Sequence, residues 1–295
     1  MIAAGTTVAA LQAQTHYPQR LDPLDNRILL CHALGLTRVG LITQSDRAVT
    51  AEEAARLAAL LQRRLDGEPI AYIVGQREFF GLPFNVNPAV LIPRPDTELL
   101  VELAMARLPP SGRVLDMGTG SGAIAVALAH SRRDAAVTAL DVSPAALEVA
   151  RGNAALNQAK VRFLESDWYS AAAGERFDLI VSNPPYIASG DRHLSEGDLR
   201  FEPGGALTDY ADGLSALRTI IAGAPQHLEA GCWLLMEHGY DQAESVRALL
   251  SAQGYTEVQS WRDLAGIERV TGGVTGGVTG EATGEATGGA ALRAV

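Results

Sequence analysis

Apolar positions in the first 70 residues recur at the three- and four-residue spacing of amphipathic helices. The residues of the two stripes are Leu21, Leu24, Ile28 and Leu29, then Leu57, Leu60, Leu61 and Leu65. Thr50 and Glu53 precede the second stripe with the spacing of a capping box, in which each side chain accepts from the other's backbone N–H. The pattern predicts a helical domain over residues 1–70, and we expect it to recognise a substrate.

The spacing changes after residue 70 to short apolar segments separated by Gly75 and Gly81. The predicted β segments are Ala71–Val74, Glu78–Phe80 and Leu82–Val86. These segments indicate a β-hairpin linker over residues 71–92. In the next segment, prolines disfavour helix until Asp96, which we interpret as the N-cap of a helix over Leu99–Leu108. Arg94, between two of these prolines, could instead line a pocket.

Residues 93–271 alternate between short apolar runs and helical patterns. The predicted strands are Arg113–Met117, Ala136–Asp141, Val161–Glu165, Phe177–Ser182, Cys232–Glu237 and Tyr255–Trp261. The predicted helices between them are Ala123–His130, Pro144–Leu156, Leu214–Ala222 and Gln242–Gln253. Because crossovers between parallel strands are right-handed, this order predicts an α/β fold with an open, mostly parallel sheet.

The composition changes again after Val270, where Thr recurs every four residues as far as Thr287 in a Gly-rich context. Such a segment buries too little apolar surface to offset the entropy of ordering it. We therefore predict a disordered tail over residues 272–295 that carries no catalytic function.

The overall composition is that of an ordinary globular protein, with 295 residues, 47% hydrophobic and 20% charged. The net charge of −10 disfavours a broad nucleic-acid-binding surface, which is built mainly from Lys and Arg. Cys31 and Cys232 stand far apart, so neither a disulfide framework nor a metal site is indicated, and we expect both to be buried. No signal sequence or long apolar run is evident, and we expect a cytoplasmic protein without membrane contact.

A glycine loop follows the first predicted strand of the sheet and precedes a helix, which lets backbone approach a ligand closely. It reads Gly118-Thr119-Gly120-Ser121-Gly122, which differs from the dinucleotide spacing Gly-x-Gly-x-x-Gly. Asp141 ends the second strand, where a carboxylate can accept from both ribose hydroxyls; it could also cap the following helix. No phosphate-binding Gly-x-x-x-x-Gly-Lys-Ser/Thr motif occurs, which disfavours a nucleoside triphosphate.

Three further side chains complete this predicted site for an adenosine ligand without phosphates. Asp116 precedes the loop and could accept from an ammonium group or orient the loop through water. Asp167 and Trp168 follow the third strand, where Asp167 would accept from the exocyclic amine of adenine and Trp168 would pack against the base. Trp168 could equally be a core residue.

The segment Asn183-Pro184-Pro185-Tyr186 leaves the fourth strand on a stiff, extended path that exposes carbonyl groups and one carboxamide. The Asn183 side-chain oxygen and a proline carbonyl can accept both hydrogens of a planar NH2 group, and Tyr186 offers a flat face. The four residues could also form only a turn that ends a strand. The former interpretation predicts a site that holds a planar amine as a nucleophile.

The combined motifs resemble a class I (Rossmann-like) S-adenosylmethionine-dependent methyltransferase and, more closely, the PrmC/HemK family. The matching residues are Asp116 to Gly122, Asp141, Asn183 to Tyr186, Glu68 to Gly75, Phe79 to Leu82, Ile92 to Glu98 and Phe201 to Pro203. The resemblance covers residues 5 to 272, and the repetitive tail lies outside it.

The resemblance implies a mostly parallel seven-stranded sheet, S-adenosyl-L-methionine as cofactor with S-adenosyl-L-homocysteine as product, and class 1 peptide chain release factors as partners. That family methylates the side-chain N5 of the glutamine in the Gly-Gly-Gln motif. Here Asn183, Pro184 and Tyr186 would be catalytic, and Pro185 would join them in binding substrate. Thr119, Ser121 and the other loop residues, with Asn183, would contact the cofactor. We expect a monomer that binds no nucleic acid directly.

Three rival functions remain at this point. An adenine-N6 methyltransferase of DNA or RNA could also hold its planar amine with Asn183 to Tyr186, which we call the clamp, although the acidic balance of the chain disfavours this function. A non-catalytic module that binds S-adenosylmethionine or a release factor would leave the intact clamp at Asn183 without a role. A nicotinamide-dependent oxidoreductase fits the glycine spacing least well.

Overall fold

The computed structural model describes residues 2–15, 17, 19–195 and 197–276. Its N-terminal part is helical, with helices α1 (Val8–Gln12), α2 (Pro23–Leu34), α3 (Arg38–Thr43), α4 (Ala51–Leu65) and α5 (Ile70–Val74). The first four pack around a core of buried aliphatic side chains that includes Leu29, Leu30 and Leu57. The capping box at Thr50 and Glu53 is confirmed, because each side chain accepts from the other's backbone N–H.

Helix α5 lies where a strand is predicted over Ala71–Val74, so that prediction is wrong. Ala71, Tyr72 and Ile73 are all buried, because Ile73 faces the helical core while Ala71 and Tyr72 pack against the segment that follows the hairpin. A short run that is apolar on all sides carries no periodicity to separate helix from strand. Gly75, at a φ of 74°, ends the helix in the left-handed conformation.

The predicted hairpin is present as two antiparallel strands, β1 (Gln76–Phe79) and β2 (Leu82–Asn85). The two turn residues, Phe80 and Gly81, have φ of 53° and 73°, which matches the twist of a two-residue hairpin turn. Phe79 and Phe84 are fully buried against the core of the large sheet. The hairpin therefore packs on the second part of the molecule through two aromatic rings.

Within the described residues, seven strands form one sheet in the order β5-β4-β3-β6-β7-β9-β8. Their bounds are β3 (Arg113–Met117), β4 (Ala136–Asp141), β5 (Val161–Glu165), β6 (Phe177–Ser182), β7 (Leu228–Glu237), β8 (Thr256–Arg262) and β9 (Glu268–Val274). The pairs from β5 to β7 are parallel, and β9 runs antiparallel to β7 and β8. The predicted α/β fold with a mostly parallel sheet is confirmed.

Helices cover both faces of this sheet. They are α6 (Glu98–Arg107), α7 (Ala123–Ser131), α8 (Pro144–Leu156), α9 (Gly204–Leu207), α10 (Ser215–His227) and α11 (Ala243–Ala252). One buried cluster joins α6 and α7 to one face, and another joins α10 and α11 to the other. The sheet thus has helices on both sides, and the carboxyl ends of its parallel strands lie at one edge.

Strand β9 corrects the predicted start of the tail at residue 272. Residues Gly272 to Val274 pair with both β7 and β8, and Thr275 N donates to Cys232 O at 3.0 Å. A Cβ at Gly272 would lie 2.4 Å from Leu234 O, so the close approach of β7 requires glycine there. The glycine content that suggested disorder is thus part of the sheet. The rest of the predicted tail, residues 277–295, lies outside the described residues.

Asp96 is not the helix cap predicted for it. Pro95–Thr97 forms a 3-10 turn that leads into α6 at Glu98, and no side chain caps that helix. Asp96 Oδ2 instead lies 3.5 Å from an Arg269 guanidinium nitrogen. Pro95 fixes the φ needed for the first turn, so the chain begins the helix without a capping hydrogen bond.

The prediction that both cysteines are buried is wrong. Cys31 and Cys232 are free thiols of intermediate exposure.

Helix α10 extends five residues past its predicted end at Ala222 and contains Pro225 in its last turn. In the part of the chain that the structure describes, no helix is long and apolar enough to cross a membrane.

Candidate functional site

A cavity of about 380 Å³ lies at the carboxyl ends of β3, β4, β5 and β6. In open parallel sheets ligands bind in the crevice outside these strand ends, and the volume is that of a small-molecule site. Most of the wall is apolar, and the polar groups come from the loops that follow the strands. The residues of the wall include Arg94, Thr97, Gly118, Thr119, Gly120, Ser121, Asp141, Ser143, Ser166, Asp167, Trp168, Asn183, Pro185, Pro203, Gly205 and Ala206.

The glycine loop between β3 and α7 forms one wall of the cavity. Its three glycines have φ of 70°, 53° and 82°, a region that residues with a Cβ rarely adopt. Thr119 N donates to Leu140 O at 2.9 Å, which ties the loop to the end of β4. The loop, with no Cβ at Gly118 and Gly120, therefore brings its backbone to the cavity wall.

Asp116 lies behind this loop and outside the cavity wall. Its Oδ2 accepts from Thr119 Oγ1 at 2.6 Å and from Ala125 N at 3.2 Å, so the carboxyl contacts the loop and α7 directly rather than through water. Its Oδ1 is buried and has no hydrogen-bond partner among the described residues. Burial raises the pKa of this carboxyl to about 7, against the hydrogen bonds that favour its charged form.

Asp141 ends β4 at the cavity wall. Its Oδ2 accepts from Gly120 N at 2.8 Å and its Oδ1 accepts from Ser143 N at 2.9 Å. Ser143, not Asp141, caps α8, because its side chain accepts from Ala146 N. Asp141 therefore connects two loops while it lines the cavity, and burial raises the pKa of its carboxyl.

Asp167 and Trp168 follow β5 and both line the cavity. Trp168 has a φ of 48°, which is strained for a bulky side chain, and its carbonyl accepts from Ser166 Oγ at 2.7 Å. The indole also packs against one of the two core clusters of the sheet. The ring therefore contacts both the core and the cavity, which are the two alternatives that the sequence leaves open.

The Asn183 to Tyr186 segment divides between the cavity and the interior. Asn183 and Pro185 line the cavity, whereas Pro184 and Tyr186 lie outside its wall. Asn183 Nδ2 donates to Thr97 Oγ1 at 3.2 Å, so Oδ1 is the carboxamide atom that remains to accept from a guest. The Tyr186 hydroxyl lies 3.5 Å from Glu237 Oε1, and its backbone oxygen accepts from Gln242 Nε2 at 3.0 Å.

Two segments that are distant in sequence meet at the cavity wall. Glu202 is buried and its carboxylate pairs with the Arg94 guanidinium while it accepts from Ile92 N at 3.1 Å. Arg94 lines the cavity, as the alternative interpretation of this residue predicts. Pro203, directly after Glu202, lines it from the other segment. The ion pair holds the two segments together beside the cavity.

Thr97, Ser166 and Glu237 belong to this region but are not among the predicted site residues. Each is a common polar residue at the end of a strand or turn, and no spacing in the sequence distinguishes it. Thr97 and Glu237 gain their importance from tertiary contacts, and Ser166 from its hydrogen bond to the carbonyl of Trp168. In the described part of the chain, no group of His, Cys, Asp or Glu side chains could hold a metal ion.

Comparison with known proteins identifies two matching family models. Residues 95–199 match "Methyltransferase small domain" and residues 10–75 match "PrmC N-terminal domain". A release factor glutamine methyltransferase of Burkholderia pseudomallei is 58% identical over 262 residues, which are 86% of this chain and 92% of that protein. Its counterpart in Neisseria gonorrhoeae is 52% identical over 254 residues, 85% of this chain and 93% of that protein.

Among solved structures, a methyltransferase from Pyrococcus furiosus superposes with a TM-score of 0.52 at 21% identity. The alignment covers 74% of this chain and 99% of that one. At this identity the likeness concerns the fold alone, and it supports a class I methyltransferase architecture.

Proposed function

Because the chain belongs to the family of release factor glutamine methyltransferases, we propose that it methylates the side-chain N5 of the glutamine in the Gly-Gly-Gln motif of class 1 release factors. The methyl donor is S-adenosyl-L-methionine, as in other methyltransferases of this class. The two reactants would meet in the cavity at the ends of β3 to β6.

The cavity has the chemistry that S-adenosylmethionine requires. Its volume of about 380 Å³ and its mainly apolar wall suit a nucleoside that carries a sulfonium-linked amino acid chain. Asp141 would accept from the ribose hydroxyls, and Asp167 and Trp168 would contact the adenine. The backbone of Gly118 and Gly120 would lie along the methionyl part. When bound, the cofactor supplies an electrophilic methyl group on a positively charged sulfur.

The acceptor side consists of Asn183 and the residues that follow it. Asn183 Oδ1 and the Pro184 carbonyl would accept the two hydrogens of the glutamine carboxamide and point its nitrogen into the cavity. An amide nitrogen is a poor nucleophile because its lone pair is delocalised into the carbonyl. Acceptors that favour a more tetrahedral nitrogen therefore stabilise the transition state more than the ground state. Tyr186 would pack beside the substrate side chain.

The Arg94–Glu202 ion pair joins two segments that line the cavity and restricts their movement. Segments held in one position keep the reacting atoms in one geometry, which favours transfer.

The observation that carries the proposal is the hydrogen bond from Asn183 Nδ2 to Thr97, which leaves Oδ1 as an acceptor at the cavity wall. The test is transfer of labelled methyl from S-adenosylmethionine to a class 1 release factor, to its Gly-Gly-Ala variant and to DNA. We expect label only on the Gly-Gly-Gln protein. An Asn183→Ala variant should lose about 100-fold or more in kcat, as when an oriented catalytic hydrogen-bonding group is removed.

Label on DNA, or full transfer to the Gly-Gly-Ala protein, would overturn the assignment of the substrate. Transfer by the Asn183→Ala variant at the wild-type rate would overturn the role of this carboxamide. Circular dichroism and binding of S-adenosylmethionine to the variant show whether its fold and cofactor site are intact.

A further inference from the structure

Glu237 is a buried carboxyl at the carboxyl end of β7, and its side chain is aimed at the acceptor half of the site. The residue is 2% exposed, and it directly follows Met236, the partner of Ser182 in the neighbouring strand. Its Oε2 is buried and has no hydrogen-bond partner among the described residues. An unpaired buried carboxyl oxygen costs stability, so a role in function is the natural explanation for it.

Thr97 connects this carboxyl to Asn183. The Thr97 side chain is 4% exposed, lies within hydrogen-bonding reach of the Glu237 carboxyl and accepts from Asn183 Nδ2 at 3.2 Å. Glu237 also contacts the Tyr186 hydroxyl, at 3.5 Å from Oε1. One carboxyl therefore touches the last residue of the clamp directly and the first residue through a single hydroxyl.

The direction of these hydrogen bonds depends on the charge of Glu237. A hydroxyl has one proton to donate, and a carboxylate can only accept. When Glu237 is ionised, Thr97 must donate to it, and the Thr97 oxygen is then free only to accept. Asn183 must consequently turn its NH2 group toward Thr97 and its oxygen toward the cavity.

A neutral side chain at position 237 no longer fixes the direction of the hydrogen bonds between residue 237, Thr97 and Asn183. A protonated carboxyl can donate to the Thr97 oxygen, and Thr97 can then donate to the oxygen of a reversed Asn183 carboxamide. The reversed carboxamide presents NH2 to the cavity, and that group cannot accept a hydrogen from the substrate amide.

We propose that Glu237 is a positioning residue that fixes the orientation of the Asn183 carboxamide through Thr97. The proposal rests on the proposed function, since it concerns how the acceptor for the substrate amide is held. Glu237 acts in its ionised form and touches neither the substrate nor the cofactor.

The groups around Glu237 place its titration in the range where the enzyme can be assayed. Burial raises the pKa of this carboxyl to about 7, and the hydrogen bond from Thr97 opposes that rise. Asp96 on the turn before α6 raises the pKa further, whereas Arg269 on β9 and the Tyr186 hydroxyl lower it. Transfer activity should therefore increase with pH through about 7 as Glu237 loses its proton.

The test compares Glu237→Gln, Thr97→Val and Thr97→Ser with the wild type between pH 6 and pH 9. The assays are kcat and KM with a class 1 release factor, and calorimetric binding of S-adenosylmethionine. Glu268→Gln serves as a control, because Glu268 lies on β9 and pairs with Arg247 away from the clamp.

We expect Glu237→Gln and Thr97→Val each to lower kcat about 10- to 100-fold, the usual loss when a group that orients a ligating side chain is removed. Cofactor affinity should stay within about 2-fold in Glu237→Gln, since Glu237 lies outside the cavity wall. The increase of kcat with pH should disappear in Glu237→Gln. Thr97→Ser should retain activity because it keeps the hydroxyl, and the Glu237→Gln/Thr97→Val double variant should be no worse than either single one.

The proposal fails if Glu237→Gln keeps the kcat and pH profile of the wild type, or if it loses cofactor binding to the same extent as activity. It also fails if Thr97→Ser is as inactive as Thr97→Val. Failure of the proposed function looks different, because the wild type would then not methylate the release factor, or Asn183→Ala would do so at the full rate.

Discussion

Replacement of Glu237 by glutamine should stabilise the protein at alkaline pH. The carboxyl is 2% exposed, and its burial raises the pKa from 4.5 to about 7. The folded protein therefore holds this proton more tightly than the unfolded chain does, and between these two pH values the free energy of unfolding falls as pH rises. The stabilisation that comes from the raised pKa is complete below pH 4.5 and is lost as pH passes 7.

The size of this loss follows from the two pKa values. At about 1.36 kcal/mol per pKa unit, the wild type should lose about 3 kcal/mol between pH 4.5 and pH 8 through this group. A glutamine side chain of nearly the same volume does not titrate, so the variant does not undergo this loss. The difference in the free energy of unfolding between variant and wild type should shift toward the variant by about 3 kcal/mol over this range.

Urea denaturation followed by circular dichroism at pH 5, 6, 7 and 8 measures the difference directly. The comparison between two proteins at each pH cancels the titration of all other groups, provided that the urea dependence of both transitions is the same. Glu268→Gln is again the matched control and should show no gain at pH 8. A constant difference between Glu237→Gln and wild type at all four pH values would refute the reasoning.

Three further predictions concern the cofactor half of the site and helix α8. Asp141→Asn should weaken calorimetric binding of S-adenosylmethionine about 10- to 100-fold, because asparagine has one acceptor oxygen and cannot serve both Gly120 N and a second backbone N–H; equal affinity would contradict the role of this carboxylate. Gly122→Ala should lower the free energy of unfolding by about 1–3 kcal/mol, since φ is 82° and the new Cβ would lie 3.1 Å from Ala150 Cβ. Gly152→Ala, where a Cβ meets open space within α8, should instead stabilise by about 0.5–1 kcal/mol, and thermal unfolding distinguishes the two.

The parts of the site that lie next to each other in sequence could be predicted. A strand, a glycine loop and a helix are one continuous segment, and their order alone places Gly118 to Gly122 at the edge of the sheet. The carboxyl ends of parallel strands lie together, and Asp141 and Asn183, which stand at two such ends, line one cavity. The helix over Pro144–Leu156 agrees to the residue, because a serine cap and a proline at its first position mark its start.

The errors occur where packing overrides local composition. The run of α5 is apolar on every side because two different surfaces bury it, so its periodicity gave no signal. Strand β9 contains Gly272, whose lack of a side chain lets β7 approach, and glycine in isolation suggests a loop. In both segments the deciding contacts come from strands or helices distant in sequence.

The role inferred for Glu237 also depends on contacts between residues that are distant in sequence. Thr97 and Asn183 are 86 positions apart, and their hydrogen bond exists only because the turn before α6 lies beside the end of β6. From the sequence we interpret Asp96 in that turn as a helix cap, and no pattern indicates a role for Thr97. A side chain that orients another one has no motif of its own, since its identity depends on the geometry of the group that it holds.

Two buried carboxyls, Asp116 and Glu237, lie directly behind the two halves of the cavity wall. Each has a pKa raised by burial to about 7 and one oxygen without a hydrogen-bond partner among the described residues. Each reaches the wall through a threonine hydroxyl, Thr119 in the glycine loop and Thr97 beside Asn183. An apolar side chain at either position would cost less to bury but could not fix the direction of a hydroxyl. Both carboxyls are therefore placed to orient a hydroxyl at the cavity wall, at the expense of stability near neutral pH.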